Sequence, residues 1–191
     1  MNNKITSDAV TVPETGISVY EALYRRRMSW KFTEQAVPME PLNRMLDTAI
    51  WAPNHRLNEP WRFFLVDRGT ELRKRIAALT YDTTAANPEL IKKAEGYHNR
   101  ITETPILLYV YYYPGETDAI TLENYGATAC ALHNIALAGY AEGLSVTWET
   151  GGISRVPGLH DLLGADPELR NLAVALIGYP AEMAPSSRTP V

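Results

Sequence analysis

An uncharged stretch in the second half of the chain constrains the fold more than any other feature. No residue between Asn124 and Ala141 carries a formal charge, and half of them are glycine, alanine or cysteine. A helix that is apolar on nearly every side must be buried on nearly every side. A membrane span is disfavoured because the stretch is marginal in length and polar side chains interrupt it. The pattern predicts a buried central helix. One domain rarely covers every face of such a helix, so a dimer interface is also expected.

The residues around this helix predict a frame for a ligand. Asp118 is a candidate cap at its start, and Gly143 suits the left-handed conformation at its end. Residues 144–148 are typical of a strand, and the loop 149–152 ends in a glycine pair. Cys130, the only cysteine, is expected to be a small buried hydrophobe rather than a nucleophile.

Composition narrows the class of protein. A length of 191 residues, with 46% hydrophobic and 21% charged residues, is ordinary for one globular domain. The net charge of −4 gives no basic surface for nucleic acid. One cysteine excludes a disulfide framework, and the four separated histidines show no metal-ligand spacing. The N-terminus lacks the apolar core of a signal peptide, so the expected location is the cytoplasm.

The remaining periodicities predict a mixture of helices and strands. Ser18 is a candidate N-cap for a first helix with an apolar face. The other segments support an α/β or α+β fold with one sheet between helical layers. Helices are expected at 41–50, 71–79 and 159–163, and strands at 61–66, 105–113 and 171–177.

The pattern weakens between residues 81 and 104. An amphipathic helix at 90–100 is the clearest element there. Two interpretations remain open, a lid over a pocket and an inert surface insertion.

Four cations are interleaved with bulky apolar residues between Arg25 and Phe32. A solvated helix end explains the positive charge, which suits the helix dipole. It does not explain why Met28 and Trp30 stand among the cations. The alternative is a site that holds an anion beside a flat apolar surface, and the local pattern leaves both interpretations open.

Several common catalytic motifs are absent. The sequence contains no GxSxG elbow, no GxxxxGK[ST] loop and no GxGxxG after a predicted strand. Its acidic residues form no convincing general acid/base pair. An enzyme with few catalytic side chains often relies on a cofactor for its reactivity.

Four segments follow one another in a recognisable order. They are RRMSWKFT at 26–33, AIWAPNHRLNEPW at 49–61, GLSVTW at 143–148 after the small-residue helix, and GYPAE at 178–182 with Pro185, Arg188 and Pro190 beyond it. Together they resemble the nitroreductase family of FMN-dependent oxidoreductases, within it the small, compact bacterial branch, over about residues 19–190. The resemblance implies an α+β fold (an α/β sandwich) whose central, mostly antiparallel sheet is flanked by helices. It also implies one FMN-binding domain at 17–191, after an N-terminal extension at 1–16.

The resemblance implies which residues hold the FMN phosphate. Arg26, Arg27 and Arg188 align with arginines that bind the phosphate and the ribityl end. This role explains the cluster of arginines that the local pattern left open. His55 aligns with a loop that approaches the flavin, often from the partner subunit.

The resemblance also implies which residues line the flavin ring. Trp148, Glu149 and Thr150 align with a strand and loop that pack along the isoalloxazine, with the side-chain or backbone role of Glu149 left open. Met28 departs from the signature, which has serine there. Trp30 stands where many members have a basic residue near the flavin pyrimidine, so either the lysine after it serves or the potential is set differently.

The activity implied by the resemblance is that of a homodimeric FMN oxidoreductase. NADH or NADPH would pass a hydride to flavin N5. A small electron-poor acceptor, such as a nitroaromatic compound or a quinone, would then be reduced in a ping-pong cycle. Neither nucleic acid nor a membrane is an expected partner. The alternatives are a flavin-binding module without reductase activity, either a carrier or a flavin-consuming enzyme, and a structural or interaction protein without flavin.

Overall fold

A four-stranded sheet forms the centre of the computed structural model, which describes residues 10–182. Every neighbouring pair of strands is antiparallel. The predicted α+β architecture is confirmed, and every predicted strand is present. In the spatial order β1-β2-β4-β3, the strands are β1 (Trp61–Asp67), β2 (Ile106–Tyr112), β4 (Arg170–Gly178) and β3 (Ser145–Glu149).

The two middle strands are buried on both faces and supply two cores. All of β2 is buried, and β4 is buried from Leu172 onward. Successive side chains alternate between the faces of a sheet, so a continuous apolar run is what two helical layers require. One layer contains α2 (Met39–Asp47) and α5 (Asp118–Ala141). The other contains α3 (Glu71–Ala85), α4 (Ile91–Glu103) and α6 (Leu159–Leu162).

Helix α5 is the predicted central helix. The hydroxyl of Thr117 accepts a backbone N–H in its first turn, so Thr117 is the cap and the prediction for Asp118 was wrong by one residue. Gly143 has φ +77°, as predicted for the end of the helix. Within residues 10–182, no helix is both long and apolar enough to cross a membrane.

Only one side of α5 is buried in the chain. Leu122 and Tyr125 are exposed, and so is Cys130. The prediction that Cys130 is buried was therefore wrong for a single chain, because α5 lies on the sheet with one face and, within residues 10–182, no further layer covers Cys130. The opposite face is a surface made mainly of small and apolar residues.

Helix α1 (Val19–Arg25) begins at its predicted cap but turns its apolar side outward. Ser18 Oγ accepts the Glu21 N–H at 3.1 Å. Only Ala22 is buried, so the predicted apolar face does not pack on the core. Helix α1 also contacts α5, so both helices with exposed apolar side chains lie in one layer. The exposed apolar residues of α1 are Val19, Tyr20, Leu23 and Tyr24.

Residues 81–104 belong to two docked helices. Helix α3 extends past its predicted end to Ala85, and α4 occupies most of the remainder. The buried guanidinium of Arg73 on α3 fastens the return from α4 to the sheet. It donates to the carbonyls of Val66, Ile101, Thr104 and Pro105.

Candidate functional site

The arginine-rich segment after α1 is held against one face of β3. Ser29 donates its backbone N–H to Ser145 Oγ at 2.9 Å, and Thr147 Oγ1 donates to the Ser29 carbonyl. Ser145 Oγ also lies 3.3 Å from the Arg27 carbonyl. Ser145 and Thr147 are two positions apart, so they point to the same face of the strand. These contacts fix the backbone of the segment on the strand.

The same segment pairs with the chain as it leaves β4. The Ala181 N–H donates to the Lys31 carbonyl, and the Thr33 N–H donates to the Tyr179 carbonyl, both at 2.9 Å. Segment 26–33, strand β3 and residues 178–182 therefore meet at one place. Three of the four sequence motifs thus contribute to one surface.

Arg26 and Arg27 lie where this segment meets α5. Partial burial, and next the positive charge of Arg26, lower the pKa of His133 on the exposed side of α5. Arg27 Nη1 donates to the carbonyls of Tyr24 and Arg26, at 2.7 and 2.8 Å, and so caps the end of α1. Both arginines are half-buried. The predicted third phosphate ligand, Arg188, lies outside the described residues.

An arginine from α4 joins Trp30 to Glu149. Arg100 Nη1 donates to Glu149 Oε2 at 2.9 Å, and its guanidinium carbon lies 4.8 Å from the centroid of the Trp30 ring. The Glu149 side chain is 11% exposed, whereas Trp30 is 50% exposed. Tyr97 packs on the loop after β3, because a Cβ on Gly152 would lie 2.5 Å from its ring. Tyr97 and Arg100 are three positions apart on one face of α4, which therefore covers this loop.

The remaining candidates lie on the same segment and strand. Met28 and Thr150 are exposed. Trp148 packs against the core beneath α5, and its Nε1 is buried without a hydrogen-bond partner among residues 10–182. An unpaired buried donor costs about 1–3 kcal/mol. Buried donors without a partner are expected more often at functional sites than elsewhere in a protein.

A cavity of about 410 Å³ adjoins Trp30 and is lined also by Phe32, Asn99 and Arg100. Its volume is within the range of small-molecule sites. A larger groove of about 550 Å³ lies between α3 and α4, but it contains none of the predicted site residues. Of these two cavities, the one beside Trp30 contains a predicted site residue. A third, of about 370 Å³, adjoins His55. In the described part of the chain, no cluster of histidine, cysteine or carboxylate side chains could hold a metal ion.

His55 lies away from the other candidates. Its Nδ1 is 3.1 Å from Glu123 Oε2 near the start of α5, whereas Arg26 lies near His133 toward the other end. Glu123 and His133 are separated along the helix by about 15 Å at 1.5 Å per residue. A single chain therefore does not bring His55 to the arginines.

The loop that carries His55 has an unusual backbone. Arg56, Leu57 and Glu59 have φ values of +52°, +55° and +46°, in the left-handed region that side chains disfavour. Asn54 Oδ1 accepts the Glu59 N–H at 3.0 Å and supports the turn. Strain of this kind persists where the surroundings enforce it, and it is common at functional sites.

Sequence reasoning missed four residues that organise the site. Ser145 and Thr147 had a readable signal, because hydroxyl residues alternate with apolar ones along a buried strand and must find partners. Ser29 lies outside the strands and had no such signal. Arg100 had no such signal, since 49 residues separate it from Glu149.

The chain is similar to several known proteins in sequence and in fold. The model of the Nitroreductase family matches residues 23–179. A Bacillus subtilis (strain 168) protein, provisionally named NAD(P)H nitroreductase YfhC, is 30% identical over 169 residues, which are 87% of each chain. The crystal structure of a nitroreductase-like family protein from Bacillus cereus is 28% identical, with a TM-score of 0.81 over 95% of each chain. A provisionally assigned nitroreductase of Desulfovibrio desulfuricans, crystallised with FMN, is 24% identical, with a TM-score of 0.72 over 91% of this chain and 92% of its own. The match of the family model across most of the chain shows that this protein belongs to the nitroreductase family.

Proposed function

We propose that the chain is an FMN-dependent oxidoreductase that takes electrons from NADH or NADPH and passes them to a small electron-poor acceptor, such as a nitroaromatic compound or a quinone. Membership of the nitroreductase family and the names of the NAD(P)H-dependent relatives support this activity. The observation that carries the proposal is the convergence of segment 26–33, the end of β3 and the chain beyond β4 beside an exposed tryptophan ring. When bound, FMN supplies the redox chemistry, and the protein binds and orients the reactants.

The charges at this surface suit the phosphate of FMN. Arg26 and Arg27, with Arg188 beyond the described residues, provide positive charge at the edge of α5. Each charge-assisted hydrogen bond to a phosphate contributes about 1.5–3 kcal/mol before desolvation is subtracted. Half-burial of the first two arginines strengthens such bonds, because bulk water screens them less.

The shape of the surface suits a flat ring system. Trp30 and Met28 expose apolar area on either side of the buried Ser29. Trp148 and Thr150 belong to the strand and loop proposed to lie along the flavin. The fixed backbone of this loop orients the ring and keeps water from one side of it.

The proposed active form is a homodimer that buries the exposed sides of α1 and α5. A contiguous exposed apolar surface of this kind is typical of an interaction site. A two-fold axis perpendicular to α5 near residue 128 would set Glu123 of one chain beside His133 of the other, because such an interface is self-complementary. His55 of the partner subunit would then lie beside Arg26 and complete the site.

The cavity beside Trp30 is the proposed place for the two substrates. Its volume of about 410 Å³ suits the nicotinamide end of the nucleotide or one small acceptor at a time. The nucleotide and the acceptor would then occupy it in turn, which gives ping-pong kinetics.

The test begins with the absorbance of the purified protein and with FMN titration. We expect a yellow protein whose flavin is bleached by NADH or NADPH in stopped-flow mixing. Arg26→Ala should weaken FMN binding about tenfold to a hundredfold, as expected for loss of one charge-assisted bond. Arg25→Ala removes a neighbouring, exposed cation and is the matched control, with FMN affinity close to that of the wild type.

Three outcomes would contradict parts of the proposal. A colourless protein that cannot be reconstituted with FMN would refute flavin binding. A bound flavin that neither nucleotide reduces would leave the flavin-binding module without reductase activity. Equal FMN affinity for the wild type and Arg26→Ala would exclude Arg26 from the phosphate site.

A further inference from the structure

Helix α4 contacts the proposed flavin site through a charged pair, Arg100 and Glu149, as well as through packing. Arg100 lies over Trp30 and binds the carboxylate of Glu149. Trp30 occupies a position where the family signature has a basic residue. Lys31, the other candidate for the missing charge, pairs with the exposed Glu182 at 3.1 Å. The cation that lies against Trp30 therefore comes from helix α4.

We propose that Arg100 is a positioning residue that supplies, from α4, the positive charge that Trp30 removes from the signature segment. This inference rests on the proposed FMN site. Reduction of a flavin adds negative charge to its pyrimidine end, and a nearby guanidinium favours that form. The Arg100 guanidinium carbon lies 4.8 Å from the centroid of the Trp30 ring, so its charge is held next to the apolar surface that this ring exposes.

The same contact answers how Glu149 takes part. Its side chain is nearly buried and is used by Arg100, so its carboxylate holds α4 on the loop. The loop then presents its backbone to the flavin. The bond to Glu149 is the hydrogen bond that the Arg100 guanidinium makes to a described residue. Four of its five N–H donors are left for partners other than the described residues.

Arg100 and Glu149 should shift the flavin midpoint potential in opposite directions. Arg100→Gln removes a positive charge and should lower it. Glu149→Gln removes the neutralising carboxylate and should raise it. The expected change in the ratio of reduced to oxidised flavin is on the order of tenfold, or about 30 mV for a two-electron couple. A purely structural contact predicts the same direction for both, since either substitution frees the loop.

The experiment measures midpoint potentials of the FMN-loaded wild type, Arg100→Gln, Glu149→Gln and the double variant by equilibration with redox dyes. The double variant should lie between the two single ones. Arg100→Lys keeps the charge but loses the planar stack, so its shift should be smaller than that of Arg100→Gln. Lys74→Gln breaks an exposed ion pair on the adjacent helix α3 and should leave the potential unchanged.

The outcomes separate this inference from the proposed function. Wild-type protein without FMN, or with FMN that NAD(P)H cannot reduce, would overturn both. A normal wild type with shifts of the same sign in Arg100→Gln and Glu149→Gln, or with no shift in either, would overturn the role of Arg100 alone. If Arg100→Gln fails to retain FMN, the directions of the midpoint-potential shifts in Arg100→Lys and Glu149→Gln test the role of Arg100 instead.

Discussion

Replacement of Arg73 should destabilise the protein more than replacement of any exposed cation. Its side chain is 1% exposed. Its two terminal nitrogens donate to backbone carbonyls at the end of β1, the end of α4 and the start of β2. Arg73→Met keeps much of the apolar stem and removes every donor. The carbonyls are then left buried without the partner that fastens α4 to the sheet.

The magnitude follows from the four bonds and from the burial of the charge. A hydrogen bond to a charged group contributes about 1.5–3 kcal/mol, so four contribute about 6–12 kcal/mol before costs are subtracted. Burial lowers the pKa of Arg73 to about 10 from 12.5. That shift is a cost of about 3 kcal/mol for keeping the guanidinium charged at neutral pH. We therefore expect Arg73→Met to lose at least about 3 kcal/mol, a large part of the 5–15 kcal/mol typical of a domain.

The assay is urea unfolding followed by circular dichroism, with saturating FMN and one fixed protein concentration, because ligand and subunit association both raise apparent stability. Arg75→Met, an exposed cation two residues along the same helix, is the control and should change stability little. Because Arg73 fastens the end of α4, Arg73→Met should also weaken FMN binding. A loss of stability below about 1 kcal/mol, the net worth of one ordinary hydrogen bond, would refute the reasoning.

Two further predictions concern α5. The Cys130 thiol is exposed in one chain, so it should react slowly with a thiol reagent in the proposed dimer and rapidly after the dimer dissociates. Labelling at the unfolded-state rate at every protein concentration would contradict that interface. At the end of α5, the hydrogen bond from Arg44 lowers the pKa of Glu142. A lowered folded-state pKa gives stability that is present above the unfolded-state value and is lost as the pH falls. The stability difference between the wild type and Arg44→Gln should therefore shrink below about pH 5 in urea titrations, and a constant difference would argue against the pair.

Periodicity and turn chemistry predicted most of the fold. The apolar run of β2, the cap at Ser18 and the glycine after α5 are local signals, and each was found where the sequence placed it. Element ends were less exact. Thr117 rather than Asp118 caps α5, because both residue types accept backbone N–H groups and only the backbone path decides between them.

The candidate site was predictable only where the residues carry a motif. The strand ending in Trp148 and a candidate anion site at the arginine pair followed from the local pattern, and their roles beside a flavin were expected through the resemblance to the nitroreductase family. The link between Arg100 and Glu149 was not, since it depends on how α4 docks over a loop 49 residues away. Long-range pairs of this kind are set by packing, which a single sequence does not display.

The sequence predicted that α5 is buried on nearly every side, and the glycines of α5 suggest why it does so although one side is exposed in the single chain. Gly139 has a reason within the chain, because a Cβ there would lie 2.8 Å from the Val146 side chain. Gly126 has none, since a Cβ there would meet nothing within 4 Å among the described residues. A glycine inside a helix costs about 1 kcal/mol relative to alanine. A second backbone approaching the exposed side would supply the missing reason, and the proposed two-fold axis near residue 128 brings the partner's α5 to that position. The absence of charge around α5 from residue 124 to residue 141 then agrees with burial in the dimer, although it misled for the single chain.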